Sequence, residues 1–361
     1  MVRAARIPPV LAISVFNAEE VRNALAGGAA IIDCEDPRAA IGMFEPRVIT
    51  DIAYAVRQFA QAAVPTSANI GIPAVIKGAN ADRATLRPRQ EIEAKAAQEA
   101  LGLAAAMDVG DGRPNIIKFE VDGLQAGDVA SFVHAVKDSI RNSRQFQHHR
   151  LIASCLELDW DAWASRRTDP TVIRGLLDLG EFSFGDGEDA FDLFDHYTGP
   201  DRARAQAIIA AARSDTSKVQ LNNPSQPTAL GLPANDDERL RYWAKTLAEA
   251  GADGLMIDTP IQAKVAGISL LKTFSADQLR TFSEYCAYLN VQCWLAGSIT
   301  ATDAAILAAM PEVDVIMCRG AASADVQDPF GSARDPGRSA RRISVALVSE
   351  LAQAINEASN A

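Results

Sequence analysis

Lys118 stands in the middle of an apolar run, Asn115–Gly123, which reads NIIKFEVDG. Ile116, Ile117, Phe119 and Val121 are β-branched or aromatic and Gly123 closes the run, the pattern of a buried strand. An ammonium is among the groups least often buried without a partner. Partial burial and neighbouring cations lower an amine's pKa and let it attack a carbonyl as a Schiff-base nucleophile. The same lysine can instead snorkel to water or pair with Asp33 or Glu35. The strand alone leaves both readings open.

Other groups of chemical interest end the neighbouring apolar runs. Asp33 and Glu35 close AAIIDCED (29–36), Asn69 lies in TSANIGI (66–72), Glu120 follows Lys118, and Asp258 closes DGLMIDT (253–259). Each carboxylate taken singly is as readily a helix cap or a loop ion pair, but their concentration at strand ends points to a site. The runs WLAGSI (294–299) and MCRGAAS (317–323) both end in Gly followed by a small residue, at Gly297–Ser298 and Gly320–Ala321. Backbone N–H groups in such turns, with a helix N-terminus, bind anions. Arg319 is expected beside that anion; the alternative is an ion pair inside the fold.

Positioning these groups together takes a repeated scaffold. Besides those already quoted, strand-like runs are VLAISV (10–15) and RLIASCLEL (150–158), giving eight with VDVIMCRG (313–320) as the last. Amphipathic helix candidates alternate with them: Asn17–Leu25, Pro46–Ala62, Arg89–Met107, Ala126–Arg144, Asp236–Ala250, Ser275–Tyr288, Thr300–Ala309 and Arg338–Ala358. This is the pattern of a (β/α)8 TIM barrel, here one domain over 1–361. Active sites of that fold lie at the strand C-termini, and phosphate binds after strands seven and eight. The stretch Asp159–Asn235 is too long for a βα connection and reads as an insertion after strand five; a smaller one, 73–88, follows strand three. Both should cover the Lys118 face, the larger as a lid or as a contact between copies in a homo-oligomer.

Composition narrows the function classes. Lys and Arg number 35 against 46 Asp and Glu, a net charge of −11, which argues against nucleic acid or an anionic membrane as partner. The apolar run near the N-terminus is short and broken by Pro8 and Pro9, so no signal peptide and no membrane span is expected. The five cysteines show no CxxC pair, and Cys34, Cys155, Cys293 and Cys318 lie in apolar runs. Buried reduced thiols and a cytoplasmic setting fit them. The four histidines lack metal-ligand spacing, and His148 and His149 sit in QFQHHR, which reads as a solvated turn. The cluster DGEDAFD (186–192) matches no EF-hand spacing and reads as a solvated acidic loop. No metal site is expected.

Taken in order, LAISVFNAEEVRNALAGGAAIIDCEDP, NIIKFEV, AGADGLMIDTPIQ, WLAGSI and DVIMCRGAAS resemble the (5-formylfuran-3-yl)methyl phosphate synthase family. The resemblance leaves out both insertions and the C-terminal tail. It implies a lyase that joins two glyceraldehyde 3-phosphate molecules into the furan precursor of methanofuran-type one-carbon carriers, with loss of a phosphate and water. It further implies a phosphorylated small-molecule substrate and no cofactor. The family's Schiff-base lysine falls on Lys118, its catalytic aspartate on Asp258 and its second-strand aspartate on Asp33. The phosphate turns fall on Gly297–Ser298 and Gly320–Ala321. Three positions depart from the family: Glu35 and Gln262 stand where it has lysines, and Ile72 where it has an aspartate. Two fewer cations leave the amine's pKa higher and a phosphate or enediolate less stabilised. The departures keep alternatives in view: another Schiff-base aldolase-type enzyme, or a non-catalytic homologue that binds a phosphorylated ligand or a protein partner.

Overall fold

The computed structural model describes residues 7–35, 45–70, 75–76, 85–86, 89–110, 112–120, 126–154, 236–259, 269–327 and 339–360. Eight parallel strands, β1 (Val10–Val15), β2 (Ile31–Cys34), β3 (Thr66–Asn69), β4 (Ile116–Glu120), β5 (Arg150–Ser154), β6 (Gly254–Ile257), β7 (Gln292–Ala296) and β8 (Val315–Cys318), close into a barrel in which β8 pairs with β1. Helices alternate with them: α1 (Ala18–Ala26), α2 (Pro46–Phe59), α3 (Arg89–Met107), α4 (Ala126–Arg141), α5 (Asp236–Ala250), α6 (Ala276–Tyr288), α7 (Ala301–Ala308) and α8 (Val345–Asn360). The expected (β/α)8 barrel is thus the observed fold, and the connection from β5 to α5, residues 155–235, carries the large insertion.

Strand register sorts the side chains. Outward residues such as Ile13, Ile32, Ile117, Leu151 and Leu255 join the helices in one continuous apolar layer. Inward residues form a second, separate cluster at the barrel floor, with Ile31, Ile116, Ile152, Met256, Trp294 and Met317 fully or almost fully buried. Apolar burial of this kind drives the fold at about 25 cal/mol per Å². Gly254 faces inward because a Cβ there would stand 2.6 Å from Ile152 Cδ1. One inward step up β1, β2, β4 and β5 the residues turn polar, at Ser14, Asp33, Lys118 and Ser154, and that change marks the mouth.

The helices start at side-chain caps. Asn17 accepts the N–H of Glu19 and of Glu20 at the head of α1, and Ser275 and Thr300 close capping boxes on α6 and α7. The expected helix Arg338–Ala358 needs correction. Its first residues form a strand, Ser339–Ile343, paired antiparallel with Ser323–Gln327 in a hairpin after β8, and α8 begins only at Val345. A second antiparallel pair, Val75–Ile76 with Thr85–Leu86, lies in the smaller insertion after β3. Among the described residues, no helix is long and apolar enough to cross a membrane. Ile72, Cys155, Gln262, Lys264, the cluster 186–192 and the stretch Asp159–Asn235 lie outside the described residues.

Candidate active site

The polar mouth is built from alternate residues of neighbouring strands. Ser14 on β1 stands level with Asp33 on β2, Asp33 with Ser67 on β3, and Asn69 with Lys118 on β4. Their side chains therefore converge inside the barrel although the sequence separates Asp33 and Lys118 by 85 residues. Lys118 is only 2% exposed and Asp33 is fully buried. The lysine Nζ lies 2.8 Å from Asp33 Oδ1 and donates to Oδ2 at 2.9 Å. Asp33 also accepts a short hydrogen bond from Ser67 Oγ on Oδ1, and Ser14 Oγ lies 3.0 Å from Oδ2. The same Ser14 hydroxyl lies 3.0 Å from Glu35 Oε2. Lys118 Nζ further faces Met317 Sδ at 4.0 Å.

Among the described residues, three carboxylates, Asp33, Glu35 and Asp258, act on the Lys118 ammonium. Burial alone lowers the Lys118 pKa, but the three carboxylates outweigh it and hold the amine above its ordinary value. Burial raises Asp33, opposed by Lys118 and reinforced by Glu35. Among the described residues, no cluster of His, Cys, Asp and Glu could hold a metal ion.

Arg319 takes the second of the two roles open to it. Its guanidinium is 7% exposed and grips Glu20 through Nη1 at 2.8 Å and Nη2 at 3.2 Å, while Nη1 also donates to Ser14 O at 3.1 Å. Glu20, 3% exposed, additionally accepts the N–H of Phe16 at 2.7 Å and of Ile343 at 3.4 Å. The pair ties β8 to β1, α1 and the C-terminal hairpin. By sequence Glu20 is simply an acidic residue in the first turn of α1, where it favours the helix N-terminus. Its acceptor role depends on barrel closure, which local sequence does not express.

The two turns lie on the mouth after adjacent strands. Gly297 has φ +126°, a conformation that favours glycine, and a Cβ there would overlap Thr259 Oγ1. Ser298 N–H donates to that hydroxyl at 3.2 Å. Gly320 and Ala321 begin a 3-10 turn whose Ala322 N–H returns to Arg319 O at 2.9 Å. The head of α7 is closed by Asp303, whose carboxylate accepts Thr300 N–H at 3.0 Å.

Sequence reading also missed Ser14 and Ser67, small hydroxyls whose only signal was their inward parity. It misplaced His149. The expected solvated turn holds an imidazole only 1% exposed, stacked 5.7 Å from Phe146 and edge-on to His148. Burial, with His148 alongside, lowers its pKa to about 4. The thiols of Cys34, Cys286, Cys293 and Cys318 are buried and in no disulfide, and burial pushes the Cys318 thiol up to about 12.

Across residues 11–154 and 176–328 the chain matches the 4-HFC-P synthase family, the furan phosphate synthases that its motifs resemble. The chain belongs to the 4-HFC-P synthase family. The match extends beyond the expected likeness, taking in 73–88 and 176–235, while the tail after 328 stays outside. Lys118, Asp33, Asp258 and both turns lie within it. No curated protein sequence matches the chain. Solved structures similar to it include thiamine phosphate pyrophosphorylase from Pyrococcus furiosus, 12% identical over 97% of this chain and 96% of that one, with a TM-score of 0.43. The 3-keto-L-gulonate-6-phosphate decarboxylase of Vibrio cholerae is 9% identical over 97% and 99%, with a TM-score of 0.44. Deoxyribose phosphate aldolase from Aeropyrum pernix is 12% identical over 86% and 83%, with a TM-score of 0.40. Likeness at this level says nothing of chemistry.

Proposed function

We propose that the protein is a lyase-type synthase that joins two glyceraldehyde 3-phosphate molecules into a furan phosphate, with Lys118 as the carbonyl-capturing amine. The observation that carries this reading is the Lys118–Asp33 pair: a buried amine in the middle of β4, in contact with a carboxylate whose pKa is raised. Lys118 passes a proton to Asp33, and the neutral amine attacks the carbonyl carbon. The carbinolamine loses water, and the resulting iminium acidifies the adjacent C–H bond. Asp258, the third carboxylate acting on Lys118, moves that proton in this reading. The enamine then forms a carbon–carbon bond with the second aldehyde. Loss of one phosphate and two waters closes the aromatic ring, and hydrolysis of the imine frees Lys118. The turns Gly297–Ser298 and Gly320–Ala321 hold substrate phosphate, with Arg319 fixing the second turn through Glu20.

Glu35 favours a second reading. With a carboxylate in place of a cation, the ammonium is stabilised in its ion pair, as suits a homologue that binds a phosphorylated ligand without forming an imine. The two readings part on one experiment. Incubation with glyceraldehyde 3-phosphate and borohydride leaves a covalent mass on Lys118 and releases phosphate under the first. Binding without any adduct, across the pH range where the protein stays folded, would select the second.

A further inference from the structure

The hydrogen bonds at Ser14 contain one contact too many for the protons available. Its hydroxyl lies 3.0 Å from Asp33 Oδ2 and 3.0 Å from Glu35 Oε2. A hydroxyl carries a single proton, and ionised carboxylates only accept. With both acids ionised, one of the two contacts would set lone pairs against each other. With one proton on the pair of acids, both contacts become hydrogen bonds, one donated by Ser14 and one accepted by it. Asp33 cannot exchange that proton directly, being fully buried, whereas Glu35 is partly exposed.

We infer that Ser14 relays protons between Glu35 at the barrel mouth and Asp33 beside Lys118, and that Glu35 and Asp33 share one proton at neutral pH. The relay has two balanced arrangements. In one, protonated Glu35 donates to Ser14 Oγ and Ser14 donates to ionised Asp33. In the other, protonated Asp33 donates to Ser14 Oγ and Ser14 donates to ionised Glu35. Two protons moving together convert one into the other and carry a net single proton across about 6 Å, two hydrogen-bond lengths.

This gives the buried amine a way out for its proton, and the catalytic part of the inference rests on the Schiff-base reading above. Glu35 releases its proton to water, Lys118 passes one to Asp33, and the relay moves that proton through Ser14 to Glu35. The result is a neutral amine beside an ionised Asp33, with one proton lost to solvent. The groups facing the network are Asp33 and Glu35 on the β2 side, Lys118 on β4 and Asp258 after β6, with the Arg319–Glu20 pair behind β1. Arg319 anchors the relay by donating to Ser14 O at 3.1 Å. The raised pKa of Asp33, to which Glu35 contributes, accords with a shared proton.

The shared proton is read directly by infrared spectroscopy at pH 7, where nearly every other carboxyl is ionised. The carbonyl stretch of a protonated carboxylic acid is expected in the native protein and absent in Glu35→Gln. A native spectrum without that band overturns the inference whatever the enzyme does. The relay is read by the rate of borohydride trapping with glyceraldehyde 3-phosphate. Ser14→Ala should trap roughly 100-fold more slowly, the scale of one lost proton-transfer group, and Ser14→Thr should restore the rate. Trapping by Ser14→Ala at the native rate overturns the relay. If the native protein shows the band but never traps, the Schiff-base reading fails and the shared proton stands.

Discussion

Replacing Glu20 by Gln tests whether the barrel is closed by its buried ion pair. The native carboxylate, 3% exposed, takes two guanidinium hydrogen bonds at 2.8 and 3.2 Å and two backbone N–H groups at 2.7 and 3.4 Å. Glutamine keeps the shape but brings one acceptor and an NH₂ group, and it leaves the Arg319 charge 7% exposed and uncompensated. Removing one partner of a buried pair costs about 3–5 kcal/mol, against a total stability of about 5–15 kcal/mol for a domain. In urea, with a slope of about 3 kcal/mol per molar, the unfolding midpoint should fall by roughly 1–1.7 M. Far-ultraviolet circular dichroism follows the transition, and an unchanged slope shows that the folded state is otherwise intact. The double variant Glu20→Gln with Arg319→Met should recover part of the loss, because no charge is then stranded. A cost for Glu20→Gln below about 1 kcal/mol, the worth of an exposed pair, would refute the reasoning.

Three further outcomes follow from the same geometry. Glu35→Lys replaces an attraction by a repulsion, so the Lys118 pKa falls and the pH at which borohydride labelling is half-complete at equilibrium should drop by roughly one unit or more; an unmoved midpoint would show that Glu35 does not act on the amine. His149 has a folded-state pKa of about 4 against an ordinary 6.5, so the folded protein binds fewer protons and loses stability as pH falls from 6.5 towards 4. Denaturant midpoints should show that loss in the native protein and a smaller one in His149→Phe, with equal slopes against pH contradicting it. Gly297→Ala puts a Cβ onto Thr259 Oγ1 at a φ of +126°, a strain of about 1–3 kcal/mol, and should weaken phosphate binding measured by calorimetry, whereas native affinity would remove the turn from the site.

The barrel was legible because its strands are continuous β-branched and aromatic runs buried on both faces. VLAISV became β1 residue for residue, and NIIKFEV holds β4. Lys118 stood out because an amine in such a run demands an explanation, and the barrel supplied Asp33 two strands away. Interactions that arise only on closure were not legible. Glu20 and Arg319 are 299 residues apart, and each has a plausible local role that conceals the pair. Ser14 and Ser67 sit in apolar runs where a small hydroxyl leaves the pattern unbroken. The strand Ser339–Ile343 was absorbed into the helix candidate that follows it, since its pairing with Ser323–Gln327 leaves no local signal in either segment. His149 was misplaced because QFQHHR is polar throughout, while its burial comes from Phe146 stacking on it.

The most direct test of the account is mass spectrometry of the native protein after glyceraldehyde 3-phosphate and borohydride, followed by peptide mapping. The account predicts a single reduced adduct on Lys118, absent in Lys118→Ala, whose circular dichroism and urea midpoint show a folded barrel. An adduct on another lysine, or none at any pH at which the protein stays folded, would contradict it.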